Sequence, residues 1–177
     1  TCRVFLVSRH IILYICARLK NDQLNLLLKK SAELFIKYGI KNLTMDDVAK
    51  ELGMSKKTIY RFVKDKSELV ESTLRNYLDE EQKQLKTLVA PSENSVDEMI
   101  RMISYFIGQV RDFNPSALND MQKYYPQAWN IYQEYRFHFM LSMIQENLKS
   151  GVEQGVYRSN LNSDIISRIY IAGIDIL

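Results

Sequence analysis

Apolar residues recur at helical spacing along most of this chain. Between positions 24 and 38 they lie three or four residues apart, which places them on one stripe of a helix. The members of this stripe are Leu24, Leu27, Leu28, Leu34, Phe35 and Tyr38. Gly39 follows directly and is a typical helix stop. The pattern therefore predicts a helix over 24–38.

The next two predicted helices are short and follow each other closely. Thr44 and Asp47 have the spacing of a capping box at a helix N-terminus, and Gly53 ends that helix. A third helix opens at Ser55. Because the connection is so tight, the second and third helices must cross steeply and touch.

Longer helices are predicted over the rest of the chain. One opens at Asp65, with Glu68 at the third position, and runs to about Val89, and a linker follows at 91–94. Ser95, with an acidic residue three positions later, is the expected cap of the next helix. Pro126 opens a long helix to about Lys149, Gly151 and Gly155 bracket a break, and a last helix begins near residue 162. No segment alternates with a period of two, so we predict an all-α fold.

The charge is distributed unevenly. Residues 1–20 carry four basic and no acidic side chains, and residues 21–66 carry ten basic and six acidic ones. Residues 67–177 carry ten basic and 15 acidic side chains. A basic first third joined to an acidic remainder is typical of a polyanion-binding end joined to a non-binding end, although scattered solvated charges would give the same counts.

Both ends of the sequence differ from a regular globular pattern. Residues 4–17 are apolar but are interrupted at positions 8–10 by Ser, Arg and His. They predict an amphipathic arm or a segment foreign to the native protein rather than a signal peptide. Residues 163–177 continue an apolar helical pattern without a stop signal. We therefore expect the native protein to continue, which would make this C-terminal domain incomplete.

Cysteine content and hydropathy exclude several classes of protein. Cys2 and Cys16 are too few for a disulfide framework or a four-ligand zinc site. No run of 18 apolar residues predicts a membrane span. The expectation is a cytoplasmic protein that does not bind membranes.

Residues 44–63 combine the features that two crossing helices need. A small residue must lie where they touch, a glycine must form the turn, and apolar residues must hold the second helix. The residues that meet these requirements are Val48, Ala49, Leu52, Gly53, Met54, Ile59 and Phe62. On a helical wheel, Lys57, Tyr60, Arg61 and Lys64 share the opposite, exposed side, with Lys56 at its edge. This arrangement resembles the helix-turn-helix DNA-binding motif.

A wider stretch, about residues 22–80, resembles the N-terminal domain of TetR-family transcriptional regulators. The matching positions are Leu34-Phe35, Gly39, Thr44, Gly53-Met54-Ser55, Thr58-Ile59-Tyr60, Lys66 and Leu69. Two positions depart from the family pattern: Lys57 stands where Gly is common, and Phe62-Val63 stand where His-Phe is common. The first departure should alter base contacts, and the second exchanges core residues.

The resemblance implies specific DNA contacts. Thr44, Tyr60 and Lys66 occupy the phosphate-contacting positions, and Thr44 and Lys66 also lie at helix N-termini, which attract anions. The candidates for base edges in the major groove are Lys56, Lys57, Thr58 and Arg61.

The C-terminal part is predicted to be a binding and dimerisation body. Its apolar and aromatic residues form either a plain core or, as the resemblance implies, a pocket for a small effector. The pocket candidates are Met99, Met102, Tyr105, Phe106, Trp129, Tyr132, Phe139 and Met143. Dimerisation in the family uses the last two helices, of which the final one is expected to be missing here.

An enzyme finds little support in the sequence. His10 and His138 are far apart and have no metal-ligand spacing around them. There is no glycine-rich phosphate loop and no nucleophile elbow. Asp46-Asp47 and Glu80-Glu81 are adjacent pairs, so the two members of each face different sides of a helix. We predict no metal, no cofactor and no catalytic activity.

Two functions follow from these patterns. The first is a sequence-specific regulator that binds double-stranded DNA: a repressor, homodimeric when full-length, that a small-molecule effector releases from a palindromic operator. The alternative is a helical protein-interaction module without specific DNA binding, which would explain the acidic body but not the basic face. The expected organisation is an arm at 1–20, a helix-turn-helix domain at 21–66, a connecting helix at 67–90, and an effector-binding and dimerisation domain at 91–177.

Overall fold

The computed structural model describes residues 2–111 and 115–174, with side chains over 18–109 and 115–173. All regular secondary structure in these ranges is helical. The α-helices are α1 (Cys2–Tyr38), α2 (Met45–Leu52), α3 (Lys56–Ile59), α4 (Lys66–Val89), α5 (Ser95–Arg111), α6 (Ser116–Tyr124), α7 (Pro126–Glu134), α8 (Leu141–Glu153) and α9 (Ser163–Ile174), and a π-helical turn (Tyr135–Met140) joins α7 to α8.

The first helix is longer than the stripe at 24–38 predicts. It begins at Cys2, so residues 2–20 of the predicted arm continue directly into the helix that packs on the core. The side chains before Arg18 lie outside the described residues, as do residues 175–177 of the predicted C-terminal run.

Local capping was predicted correctly for α2 and α4. The Thr44 hydroxyl accepts the Asp47 amide and the Asp47 side chain returns to Thr44, which closes the capping box. Asp65 accepts the amide of Glu68 at 2.9 Å. The prediction for α5 was wrong, because the Asn94 side chain, not that of Ser95, accepts the first free amides of that helix. The Ser95 side chain is buried instead.

The long helix predicted from Pro126 to about Lys149 is interrupted by the π-helical turn and extends to Glu153. A π-helical turn accommodates an extra residue without breaking the helix. Gly151 was expected to border a break, but it lies inside α8, where the Tyr157 ring packs so closely that a Cβ would collide with it. Gly155, at φ +72°, follows the end of α8.

Two cores share α4. The first core gathers α1, α2 and α3, the start of α4, and residues of α6 and α7; the second gathers the rest of α4 with α5, the π-helical turn, α8 and α9. Leu69 and Val70 belong to the first core, Leu78 and Leu85 to the second, and Leu74 contacts both. One rigid helix therefore connects the two parts of the molecule.

Within the described part of the chain, no helix has the length and apolarity that crossing a membrane requires. The same residues contain no grouping of three or more His, Cys, Asp or Glu side chains that could hold a metal ion.

Candidate nucleic-acid interface

The turn between α2 and α3 is built by local hydrogen bonds. Gly53 adopts φ +63°, and the amide of Met54 reaches back to the Ala49 carbonyl at 2.9 Å. A Cβ at residue 53 would meet no atom within 4 Å. Glycine is therefore required here by the left-handed backbone and not by space.

The second helix of the pair is held down by its apolar side. Ile59 is fully buried and Val63 is 3% exposed. Val48 and Ala49 of α2 are buried in the same core, and Leu52, Met54 and Phe62 pack against it. These contacts fix α3 on α2, so the opposite side of α3 faces solvent.

The solvent-facing side of α3 and of the turns that follow it at 60–64 is basic, although α3 itself ends at Ile59. Lys57, Tyr60, Arg61 and Lys64 are all exposed, as the helical wheel predicts. We call these four residues the basic face. Within the described residues, neither Lys57 nor Arg61 forms an ion pair. Their charged ends are therefore available to a polyanion.

Two further base-edge candidates already have partners. The Lys56 ammonium pairs with Asp46 of α2 at 3.0 Å, and this hydrogen bond raises the pKa of Lys56. The Thr58 hydroxyl lies 2.8 Å from the Ser55 hydroxyl, which also caps the helix by accepting the Thr58 amide. A DNA contact by either residue has to compete with these bonds.

The three phosphate candidates differ in their surroundings. Tyr60 is 45% exposed on the basic face. The Thr44 hydroxyl donates to Asp47 at 2.6 Å, and the bonds from Thr44 lower the pKa of Asp47. The Lys66 ammonium is hydrogen-bonded to the protein backbone. It donates to the carbonyls of Ile40 and Lys41 at 2.7 and 3.2 Å.

Lys66 belongs to a junction that the sequence did not predict. The buried Asp120 carboxylate of α6 accepts the amides of Ile40 and Lys41 at 3.0 and 2.7 Å, while Lys66 of α4 binds the carbonyls of the same two residues. Partial burial lowers the pKa of Lys66, and the nearby Asp120 opposes this shift. We call Ile40, Lys41, Lys66 and Asp120 the junction.

Gly39 makes the close approach at the junction possible. Its φ is +79°, and a Cβ there would collide with the Ser116 side chain of α6. Asp120 lies 80 positions after Ile40. No periodicity or short motif relates residues so far apart, so the sequence carried no readable signal for this contact.

The predicted effector pocket is divided between the two cores. Met99 and Met102 are buried in the second core, and Tyr105, Phe106, Phe139 and Met143 pack against it. Trp129 instead packs against the first core, with its ring 5.7 Å from that of Tyr132. A surface groove of about 580 Å³ lies elsewhere, along α8 and the segment at 159–163, and none of the eight predicted pocket residues lines it.

Sequence reasoning missed Glu81 as a residue of the second core. Glu80 is exposed and pairs with Lys83 at 2.7 Å, whereas Glu81 is only partly exposed. The two carboxylates do face different sides of α4, as predicted. A signal was present, because Glu81 lies at helical spacing between the apolar residues Leu78 and Leu85.

Comparisons with known proteins agree with this geometry. The family model "Bacterial regulatory proteins, tetR family" matches residues 27–73, which contain α2, α3 and the basic face. The chain is 26% identical over 139 residues to the uncharacterized HTH-type transcriptional regulator YvaF of Bacillus subtilis, covering 76% of this chain and 70% of YvaF. It is 22% identical over 151 residues to the HTH-type transcriptional repressor KstR2 of Mycobacterium tuberculosis, covering 84% of this chain and 76% of KstR2.

The fold is also found among solved structures. A proposed transcriptional regulator from Saccharomonospora viridis, crystallised in complex with choline, superposes with a TM-score of 0.76 over 88% of this chain and 82% of its own, at 17% identity. The matching family and these relatives are transcriptional regulators rather than enzymes. They also favour a DNA-binding regulator over a helical protein-interaction module. Residues 27–73 therefore carry a DNA-binding domain of the tetR family, and the chain is a DNA-binding transcriptional regulator.

Proposed function

We propose that this regulator is a repressor that binds a palindromic operator as a homodimer and is released by a small-molecule effector. The observation that carries the DNA-binding part is that α3 and the turns after it, residues 56–64, have a buried apolar side and the exposed basic face. Two such helices in a symmetric dimer would enter successive major grooves, about 34–36 Å apart. The name of KstR2 supports repression, because that relative is a transcriptional repressor.

Within the interface, phosphate and base contacts fall to different residues. Thr44 and Tyr60 are proposed to contact phosphates, which fixes the position of α3. Lys57 and Arg61 are proposed to donate to base edges, and guanine offers the paired acceptors that Lys and Arg favour. Lys56 and Thr58 are secondary candidates, because each must first release a protein partner.

Lys66 fits a positioning role better than a direct phosphate contact. Its ammonium already satisfies two backbone carbonyls. By holding the Ile40–Lys41 segment, it fixes the connection between α1 and α2. We propose that Lys66 acts on DNA binding through this connection.

The junction offers a physical route from effector to operator. Asp120 ties α6 to the segment that leads into α2, and α4 belongs to both cores. A shift of α4 or α6 caused by an effector in the body would therefore move α2 and α3 and alter the spacing of the two recognition helices. DNA and effector would then oppose each other's binding reciprocally.

The proposed division of the chain follows this route. Residues 21–66 bind DNA, residues 67–90 connect, and residues 91–177 bind effector and contribute to dimerisation. The choline complex of the structural neighbour supports a small molecule as the effector.

In vitro selection of bound duplexes from a random pool tests the proposal. We expect a palindromic consensus whose half-sites are about one helical turn, 10–10.5 base pairs, apart. A Lys57→Ala, Arg61→Ala double variant serves as the control and should lose preference at the positions that these two side chains read. If the duplexes selected by the unmodified protein share no enriched site, operator binding is contradicted.

A further inference from the structure

Glu81 has an unusual position in the second core. It lies on the apolar stripe of α4 between Leu78, which is 5% exposed, and Leu85, which is 1% exposed. Within the described residues, no Lys or Arg pairs with its carboxylate. An ionised carboxylate taken from water without a cationic partner is strongly disfavoured.

Tyrosines from three helical segments interact electrostatically with this carboxyl. Tyr77 lies one turn earlier on α4, Tyr105 lies on α5, and Tyr135 lies at the start of the π-helical turn. Burial raises the pKa of each of these phenols, and the neighbouring Glu81 carboxylate raises each further. We call Glu81 and these three tyrosines the Glu81 cluster.

The cluster includes a stacked aromatic pair and residues that are partly exposed to solvent. The Tyr135 and Phe139 rings stack with their centroids 5.3 Å apart. Tyr135 is buried, and although its hydroxyl lies beside Glu81, no atom of the described chain gives it a hydrogen bond of good geometry. Glu81, Tyr77 and Tyr105 each remain partly exposed to solvent.

Nearby cationic side chains are directed elsewhere. The Lys86 ammonium lies over the Phe139 ring at 5.5 Å from its centroid, and Lys86 is exposed. The Arg136 guanidinium donates to the Ile171 carbonyl of α9 and to Gln133. In the described part of the chain, the tyrosines that interact with Glu81 are phenols, which stay neutral at physiological pH. Burial raises the pKa of Glu81 to about 7, and the Tyr135 hydroxyl partly opposes this rise.

We propose that the Glu81 cluster is the effector site and that its ligand is an organic ammonium ion. The carboxylate would supply the missing countercharge, and the tyrosine and phenylalanine rings would supply cation–π contacts, which suit alkylated ammonium groups best. This inference rests on the proposed effector response and names the chemical class of the effector. Two residues predicted for the pocket, Tyr105 and Phe139, are part of it.

Ligand binding can be tested on the full chain without DNA. The probes are tetramethylammonium, tetraethylammonium and benzyltrimethylammonium, with neopentylbenzene as the uncharged isostere of the last. Calorimetric titration should show binding of at least one ammonium ion and at least tenfold weaker binding of the isostere. No binding of any of the three ions at millimolar concentration would overturn the proposal.

The pH dependence separates a cation from a neutral ligand. A cation favours the ionised carboxylate, so its affinity should rise between pH 6 and pH 8, by up to about tenfold for a group that titrates near 7. At pH 7, binding should release about half a proton. An ammonium affinity that stays constant or falls as the pH rises would show that the Glu81 carboxylate is not the countercharge and would overturn the proposal.

Glu81→Gln keeps the shape of the side chain and removes its charge. The variant should lose at least tenfold in ammonium affinity and lose the pH dependence. Asp79→Asn is the matched control, because Asp79 is an exposed acid on the same helix and should leave both unchanged. Melting temperatures of the variants check that they are folded. Unchanged ammonium affinity in a folded Glu81→Gln variant would overturn the proposal.

The result for DNA is read separately. If ammonium ions bind through Glu81 but do not release the operator, the ligand site stands and the proposed effector response fails. If an uncharged compound releases the operator equally well from the parent and from Glu81→Gln, the effector response stands and the Glu81 site is wrong.

Discussion

The helix-turn-helix segment and the helical body are held by contacts of very different range. In the segment, the caps of α2, α3 and α4 join residues three positions apart, as in the bonds of Thr44, Ser55 and Asp65. In the body, Asn147 and Tyr157 bond to the Ser95 carbonyl across 52 and 62 positions, and Asp120 reaches Ile40 across 80. The DNA-binding surface is therefore stabilised by contacts between sequence neighbours, whereas its connection to the body depends on contacts between residues far apart in the sequence.

The largest expected effect comes from removing a long-range contact, the one that Asp120 makes with Ile40 and Lys41. Asp120→Ala leaves the Ile40 and Lys41 amides without their acceptor, and should lower the free energy of unfolding by about 3 kcal/mol. Asp120→Asn retains an acceptor oxygen and should cost less than half of that. Urea denaturation measures both.

Operator affinity should fall with Asp120→Ala even at temperatures where the variant is folded, because the junction positions α2. The exposed acid Asp79 provides the control, since Asp79→Asn should change stability by less than about 0.5 kcal/mol. A folded Asp120→Ala variant with full operator affinity would show that the junction does not position the DNA-binding surface.

The second prediction concerns pH and the body alone. The pKa of Glu81 is about 7 in the folded state, against an ordinary value of 4.5. The folded state therefore binds more protons between these values, and the free energy of unfolding should fall as the pH rises from about 4.5 to 7, by a total on the order of 3 kcal/mol. Above pH 7 this contribution should level off.

Glu81→Gln should remove that fall and be more stable than the parent at pH 8. Asp47 and Asp97 have lowered pKa values, so their contribution changes below their ordinary value of 3.8 and outside this window. Denaturation curves of parent and variant at pH 5 and pH 8 test this. Equal differences between parent and variant at the two pH values would show that Glu81 does not titrate in this range.

Two glycines distinguish a local backbone constraint from a long-range packing constraint. Gly53 and Gly39 both have positive φ, but only at Gly39 would a Cβ collide, with Ser116 of α6. Gly53→Ala should cost about 1 kcal/mol of stability from backbone strain alone. Gly39→Ala should cost about 2–3 kcal/mol, because the collision adds to the strain.

Thermal or urea unfolding of the two alanine variants gives the difference. Adding Ser116→Gly to Gly39→Ala should recover part of the loss, whereas adding it to Gly53→Ala should recover none. Equal costs for the two glycines would mean that the loop and α6 do not press on each other.

The smallest effect concerns the salt dependence of DNA binding. A residue that neutralises one phosphate contributes about one unit to the slope of log affinity against log salt. Because Lys66 is occupied by the Ile40 and Lys41 carbonyls, Lys66→Ala should weaken binding to all duplexes while changing the slope by well under one unit. Exposed Lys149 on α8 is the control and should affect neither. A loss of one full unit would assign Lys66 to a phosphate.

The range of the contacts also explains what the sequence could predict. Helix periodicity, the capping box at Thr44 and the turn at Gly53 depend on neighbours within one or two helical turns, so α2, α3 and the basic face were foreseeable. The junction required knowing that α6 packs beside the end of α1. The interrupted helix at Tyr135–Met140 depends on packing in the second core, and α-helical periodicity does not reveal it.

Glu81 is a third case, because the sequence already indicated its position through the helical spacing to two apolar residues. Because adjacent residues diverge on a helix, the Glu80-Glu81 pair predicts no pair of cooperating carboxylates. The spacing of Glu81 to Leu78 and Leu85 indicated instead that one acid faces the core. An acid at an apolar position of a helix is therefore informative on its own.

Base reading by the basic face is the central claim, and repeating the in vitro selection with Lys57→Ala and Arg61→Ala tests it most directly. Each side chain is exposed, and within the described residues neither has an ion-pair partner. Each variant should lose preference at one position per half-site, at a cost of roughly 1–3 kcal/mol for that base pair, and keep the rest of the motif. Uniformly weaker binding with an unaltered motif in both variants would contradict base reading by these two residues.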